Sequence, residues 1–302
     1  MSSATGVPSI PSAATVLLLR EGSEGLQVLM TKRAAGLSFM AGLWVFPGGR
    51  MEDADRSARI AARASSSGRD PVHERMLGID GRPIPPETAL ALHVAACRET
   101  FEESGVLLAR PRLGTAGFDD ARLASMAARR ATGTTAADFE RLLEEEDLLL
   151  DLDRLVYWSH WITPSLEQKR FDTRFFAVEV PPGQVASVDR SELTQHAWFT
   201  EPELREHLRS GEIRVAPPTL ATLQDLWSSH GRHGGLLPML AAERSRPVPP
   251  ILPKMRAGEA GSFEIVLPWD RDYGSWSGEA CAVAESYPDH LLALPSRRSF
   301  KR

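Results

Sequence analysis

Two apolar, β-leaning runs lie near the start of the chain, residues 13–19 and 26–31, and Gly22-Ser23-Glu24-Gly25 between them predicts a hairpin turn. A short strand is expected at Trp44-Val45-Phe46, running into a Gly-rich loop at Pro47-Gly48-Gly49. From Asp55 to Pro86 the pattern breaks. Arg, Ser, Ala, Gly and Pro dominate, and Asp80-Gly81 and Pro85-Pro86 mark turns. This stretch reads as an inserted excursion outside the core, partly helical around residues 56–64. Residues 87–104 carry the clearest helical period. Leu90, Val94, Cys97 and Phe101 recur at spacings of four, three and four and share one face, with Arg98, Glu99, Glu102 and Glu103 opposite. Pro85-Pro86 opens this helix, Glu87 suits the positive end of its dipole, and Gly105 is placed to be a left-handed C-terminal cap.

Further helical patterns follow near residues 119–130 and 136–146, then strands at 155–162 and 174–180, with Pro164 between them. Trp198-Phe199 closes another strand before a helix near 202–208, and Pro217-Pro218-Thr219 opens a helix through about Trp227. Beyond Arg246 the chain is Pro-rich, with one strand expected at 263–267. The predicted organisation is a flexible start (1–12), one domain (13–245) enlarged by insertions at about 56–86 and 119–146, and a C-terminal extension (246–302). That extension has two roles open to it, a cap over a pocket or a homodimer contact.

Composition narrows the function classes. With 35 Lys and Arg against 40 Asp and Glu, the formal net charge is -5, which argues against a dedicated nucleic-acid binder. The longest apolar runs, residues 16–19 and 148–150, fall far short of the roughly 20 that a membrane span needs, so no membrane partner is expected. No basic stretch followed by an apolar one marks the N-terminus, and a cytoplasmic location is expected. Two cysteines, Cys97 and Cys281, cannot build a disulfide framework or a cysteine metal cluster, and Cys97 reads as helix packing.

The informative chemistry is Arg98-Glu99-Thr100-Phe101-Glu102-Glu103-Ser104-Gly105. Glu99, Glu102 and Glu103 stand at i, i+3 and i+4, so three carboxylates crowd one helical face. Two unit charges at about 6 Å repel by about 3 kcal/mol at an effective dielectric near 20. Arg98 can reach Glu102, but two anions remain. A hard divalent cation relieves this crowding, and carboxylate oxygens are the ligands Mg2+ or Mn2+ prefers. Charge clusters such as Glu144-Glu145-Glu146 are more often solvated faces. The Gly cap and the preceding Gly-Gly loop on a strand end set this triad apart, because strand, Gly loop and acidic helix together suit a metal-bound polyphosphate.

The stretch Arg-Glu-x-x-Glu-Glu-x-Gly resembles the second half of the Nudix box, and Pro47-Gly48-Gly49 resembles its first half. Asp55 stands where that family has Glu, Thr100 where it prefers an aliphatic residue, and the gap before Arg98 is longer by about 35 residues. A split box is similar to the branch that includes the coenzyme A diphosphatases of peroxisomes. Further likeness to that branch covers residues 42–49, 53–57, 158–164, 170–176 and Pro217-Pro218. Arg33-Ala34, Gly42 and Phe46-Pro47 fall in register with the motif of coenzyme A-hydrolysing members, with Ser38 in place of its second Arg.

The resemblance implies an α/β Nudix fold, a mixed β-sheet sandwiched between helices. It implies metal-dependent hydrolysis of a diphosphate linkage in a small nucleotide derivative, with coenzyme A or acyl-coenzyme A as the leading substrate. An NADH or ADP-ribose pyrophosphatase and a non-catalytic Nudix-fold binding module remain the alternatives. By the same resemblance Glu99, Glu102 and Glu103 bind Mg2+ or Mn2+, Arg98 orients them, Gly49 lets the loop backbone pack close to the helix, and Gly48 and Gly49 belong with substrate binding. The base would be a helix glutamate or Glu192, and Arg33 belongs with substrate binding. Arg170 and Arg174, beside Lys169, form a basic cluster that would grip a phosphate or line a solvated strand edge. The aromatic residues Trp158, Trp161, Phe171 and Phe175 read as core, and His230-x2-His233 reads as a Gly-rich loop, not a zinc site.

Overall fold

The computed structural model describes residues 10–37, 40–65, 75–113, 118–131, 135–187, 193–258, 262–281 and 287–301. The strands are β1 (Ser12–Gly22), β2 (Gly25–Arg33), β3 (Trp44–Val45), β4 (Gly48–Arg50), β5 (Ala64–Ser65), β6 (Ala109–Pro111), β7 (Leu148–Asp151), β8 (Val156–Ile162), β9 (Asp172–Glu179) and β10 (Leu193–Phe199). The last four are β11 (Pro250–Ile251), β12 (Lys254–Ala257), β13 (Ser262–Val266) and β14 (Arg297–Lys301). The helices are α1 (Ala58–Ala61), α2 (Pro86–Ser104), α3 (Asp120–Ala131), α4 (Ala136–Glu145), α5 (Glu201–Ser210), α6 (Pro217–His233), α7 (Leu236–Glu243) and α8 (Asp289–Leu292).

The main sheet runs β10-β2-β1-β9-β8-β11, with β3 added to β2 and β4 to β1. The β1–β9 and β8–β11 pairs are parallel and the others antiparallel, so the sheet is mixed. The predicted hairpin forms, with Gly22 opposite Gly25. β1 is apolar on both faces because both are covered. Val16 and Leu18 face one core with α2, while Leu17 and Leu19 face a second core with α6 and α7. This is the sandwich expected from the resemblance.

The region read as an excursion outside the core departs from that reading. Ile60 and Met76 are fully buried against α2, together with Phe139, Leu142 and Leu143 of α4. The two insertions join one another: β5 and β6 both pair with β7, Ser57 donates to Glu140, and Arg59 meets Glu144 at 3.1 Å. Their union covers the outer side of α2. The helix is therefore buried nearly all round, including Arg98, which the periodicity placed on a polar face. Its Ala-rich sequence permits the close approach.

Two local readings also change. Gly48-Gly49 is not a loop but the start of β4, paired with Thr15 and Ala14 of β1. His230 and His233 lie in the last turn of α6, which runs six residues past Trp227 to a left-handed Gly234 cap. There His230 and His233 face Glu21 and Glu243. The expected flexible start lies mostly outside the described residues. Among the described residues no helix is long and apolar enough to cross a membrane.

Candidate active site

α2 is built to present its last turn. Pro85 caps it, Pro86 takes the first position, and Gly105 ends it at φ 72° with its N–H donating to Phe101 O at 2.9 Å. This left-handed stop leaves Glu99, Glu102 and Glu103 at the helix end, beside β4.

Arg98 organises this end. Its Nε and one Nη donate to both oxygens of Asp55 at 2.8 and 2.9 Å. The other Nη donates to Glu99 at 2.9 Å and Glu102 at 3.0 Å, and Arg50 O accepts the fifth bond at 3.0 Å. All five guanidinium N–H donors are thus used, the full capacity of the group. Asp55 sits in a single 3-10 turn, Asp53–Arg56, where its carboxylate also accepts from the Glu52 N–H at 2.8 Å. The short turn brings a carboxylate to Arg98 across 43 residues of sequence.

Two glycines set the approach of β4 to the helix. A Cβ on Gly48 would lie 2.5 Å from Ala14 O and 2.6 Å from Thr15 Cα, so no side chain fits. A Cβ on Gly49 would lie 2.5 Å from the Glu99 carboxylate. The Gly48 N–H donates to Glu103 Oε2 at 2.9 Å, which ties the strand to the helix.

One cation against this many carboxylates leaves a surplus of negative charge. Burial raises the Glu99 carboxyl above its ordinary range although Arg98 pulls it down. Burial likewise pushes Glu102 up to about 7, against Arg98 and with repulsion from Glu99. Burial opposes the charge on Arg98, but its bonds to Asp55 and the nearby carboxylates hold it above its usual value. Glu102 Oε1 is buried without a hydrogen-bond partner. Glu99, Glu102 and Glu103 are the oxygen donors here that could hold a divalent cation. Among the described residues no three acidic, His or Cys side chains already converge as a ligand set; Arg98 engages Glu99 and Glu102, and the Gly48 N–H engages Glu103.

A cleft of about 1570 Å3 opens over this floor, and Arg33, Gly48, Gly49, Glu99, Glu102 and Glu103 all line it. Arg170 and Arg174 do not, and the phosphate-gripping role expected of them is corrected here. Arg174 is 1% exposed and pairs with Asp172 at 2.6 Å and with Leu77 O at 2.8 Å. Arg170 pairs with Glu279 at 2.7 Å and with Thr163 O at 2.9 Å. Both guanidinium groups therefore serve internal contacts. Lys169 of the same cluster does line the cleft, as do Trp161, Phe171 and Phe175. Glu192 lies outside the described residues.

Sequence reasoning missed Glu52 and Arg214, whereas the C-terminal strands line this cleft, in line with the first of the two roles left open for the extension. Glu52 carried a weak signal, lying three residues from Asp55 in an acidic stretch. Arg214 had none. The backbone bond from Trp44 N–H to Arg214 O, 2.9 Å, brings it in from the distant α5–α6 connection.

Comparison with known proteins agrees with this geometry. The family model described as NUDT19 Nudix domain matches residues 8–226. The chain is 29% identical over 229 residues to a Xenopus laevis protein named acyl-coenzyme A diphosphatase NUDT19, covering 66% of this chain and 59% of that protein. The Homo sapiens protein of the same name is 32% identical over 240 residues, covering 70% and 63%. The chain thus matches about three-fifths of the length of these relatives. The crystal structure of a Nudix hydrolase from Alicyclobacillus acidocaldarius superposes with a TM-score of 0.55 at 28% identity, covering 73% of this chain and 92% of that one. With more than half of its length matched by that model, and with the split box assembled around Arg98, this chain belongs to the Nudix family, in the group defined by the NUDT19 Nudix domain.

Proposed function

We propose that this protein is a metal-dependent hydrolase that cleaves the diphosphate linkage of coenzyme A or an acyl-coenzyme A, releasing 3′,5′-ADP and a phosphopantetheine moiety. The carrying observation is that Glu99 and Glu102, held by one buried guanidinium, and Glu103, held by the Gly48 N–H, line the floor of a cleft large enough for such a substrate. The relatives' printed name supports the substrate class.

The donor set fits Mg2+ or Mn2+. It is all oxygen, it is over-supplied with negative charge, and one oxygen, Glu102 Oε1, is buried and unpartnered. A bound divalent ion would neutralise diphosphate charge and acidify a water molecule. Glu99, Glu102 and Glu103 would hold it, with Arg98 orienting the first two and the Gly48 N–H the third. Arg33, on the cleft wall, would hold a substrate phosphate. In the reaction a water oxygen bonds to one phosphorus while the bridging oxygen leaves with the other phosphate. One of the helix carboxylates takes the water's proton.

A second reading, an NADH or ADP-ribose pyrophosphatase, is favoured by one observation: Ser38 stands where coenzyme A-hydrolysing relatives carry a second Arg. Product masses from purified protein with coenzyme A, acetyl-coenzyme A, dephospho-coenzyme A, NADH and ADP-ribose, each with Mg2+ and Mn2+, separate the two. Release of 3′,5′-ADP, with a preference for substrates bearing the 3′-phosphate, is expected. Glu103→Gln should reduce turnover at least about 100-fold. Its amide oxygen still accepts from the Gly48 N–H, so the melting temperature should move little. Full activity in this variant would sink the site assignment.

A further inference from the structure

The family match ends at residue 226, yet the cleft is lined by residues well beyond it. Pro253, Met255, Phe263, Ile265 and Phe300 are the lining residues supplied by the chain after Arg246, and all are apolar. Four of them come from one three-stranded sheet, β12-β13-β14, and Pro253 directly precedes its first strand. Phe263 and Ile265 are two apart on β13 and so share a face. Their register partners are Phe300 on β14 and Met255 on β12. The rings of Phe263 and Phe300 stack, with centroids 5.6 Å apart.

The β8–β9 connection lines the same cleft. Leu166 in this loop lines the same cavity and is 63% exposed, so its apolar side chain is open to a ligand in the cleft. The loop is fastened to the extension: Arg170 reaches Glu279 at 2.7 Å. One part of the cleft lining is therefore carboxylate and cation, and the part supplied by the β12-β13-β14 strands is hydrocarbon.

From this we infer that the β12-β13-β14 sheet and Leu166 form the subsite for the acyl chain of an acyl-coenzyme A, so that the extension sets acyl-chain preference. The inference deepens the proposed function and rests on it. A hydrocarbon chain matches the lining residues of these strands, none of which is charged, while Glu167, Gln168 and Lys169 give the loop beside Leu166 a polar edge. An adenine ring would stack on the same aromatics, but its edge nitrogens seek hydrogen-bond partners that the side chains lining the cleft from the strands do not offer. The diphosphate belongs at the acidic floor, and the cavity, larger than an ordinary small-molecule pocket, is continuous between the two regions.

The test is kcat/KM for coenzyme A, acetyl-coenzyme A and dodecanoyl-coenzyme A, all below micelle-forming concentrations, in the wild type, Leu166→Ser and Phe263→Ser. The wild type should favour the dodecanoyl substrate over free coenzyme A. Each variant should lower the dodecanoyl-to-free ratio about tenfold, the loss expected when one large apolar contact is removed. Leu166 is so exposed that its replacement should leave the melting temperature in place, which keeps the test open if Phe263→Ser misfolds. A fall of equal size on all three substrates would assign these residues to the nucleotide end and overturn the inference. So would a wild type that turns over all three equally, although the proposed function would stand. A wild type that hydrolyses no coenzyme A species overturns both.

Discussion

Arg98 shows how much chemistry one buried residue carries. Its five donors meet Asp55 twice, Glu99, Glu102 and the Arg50 carbonyl. A lysine keeps the charge but offers three donors from one atom and cannot match a carboxylate with two parallel bonds. Arg98→Lys should therefore leave part of the Asp55 carboxylate buried and unpaired, and should destabilise the fold by about 3 kcal/mol. Urea denaturation checks this, and an unchanged midpoint would contradict it. Turnover should fall as well, because Glu99 and Glu102 lose their common anchor. The sequence pattern already singled out Arg98 and aligned Asp55 with the family's glutamate. It could not show that Arg98 is buried, since the cover comes from insertions on either side of α2. Nor could it show that Arg170 is held by Glu279, a partner 109 residues away. Pairings of surface-type residues over such separations leave no local mark.

At the scale of the element, legibility followed periodicity. α2 was foreseen to within a residue because its caps, dipole and apolar spacing agree. Gly48-Gly49 was misread as loop, because glycine disfavours strands and only the pairing with β1 makes this one. The β8–β9 pair carries a feature no periodicity reveals. His160 is wholly buried in β8 and bonds through Nε2 to Asp172 of β9 at 2.5 Å. Burial, and then the nearby Arg174 charge, push its pKa down to about 4 despite Asp172. The unfolded chain, with an ordinary histidine near 6.5, binds a proton between pH 6.5 and 4 that the folded chain refuses. Stability from this group is complete above pH 6.5 and is lost as pH falls, by about 3 kcal/mol at pH 4. His290, also pushed down to about 4 by burial, adds to the same trend. Melting temperatures from pH 7 to 4.5 should decline in the wild type and decline less in His160→Gln. Equal slopes would show that His160 is not the group responsible.

At the scale of the whole molecule, the Pro-rich stretch at Arg246 reads as a boundary, but the chain on its two sides shares one core. Met255, Ile265, Leu267, Leu291 and Leu294 belong to the same buried cluster as Leu17, Trp158 and Leu226. β11 extends the main sheet in parallel with β8, setting Ile251 beside Trp161. Arg246 is itself buried, paired with Asp225 at 2.6 Å and lying over Trp158 at 4.5 Å. Composition sees only the local chain, and these contacts are all long-range, so the reading of an appended segment followed naturally from what composition can detect. Each buried aliphatic side chain contributes roughly 1.5–3 kcal/mol. Losing five or more exceeds much of the ~5–15 kcal/mol by which a domain is stable. A chain cut after Ser245 should therefore aggregate or lack a cooperative melting transition, although it retains every residue matched by the family model. A soluble fragment with the full-length melting temperature would show the extension to be an independent unit. The expected failure means that the Nudix module of this protein is completed by a segment its family pattern does not contain, and the same segment walls the cleft in which the reaction is proposed to occur.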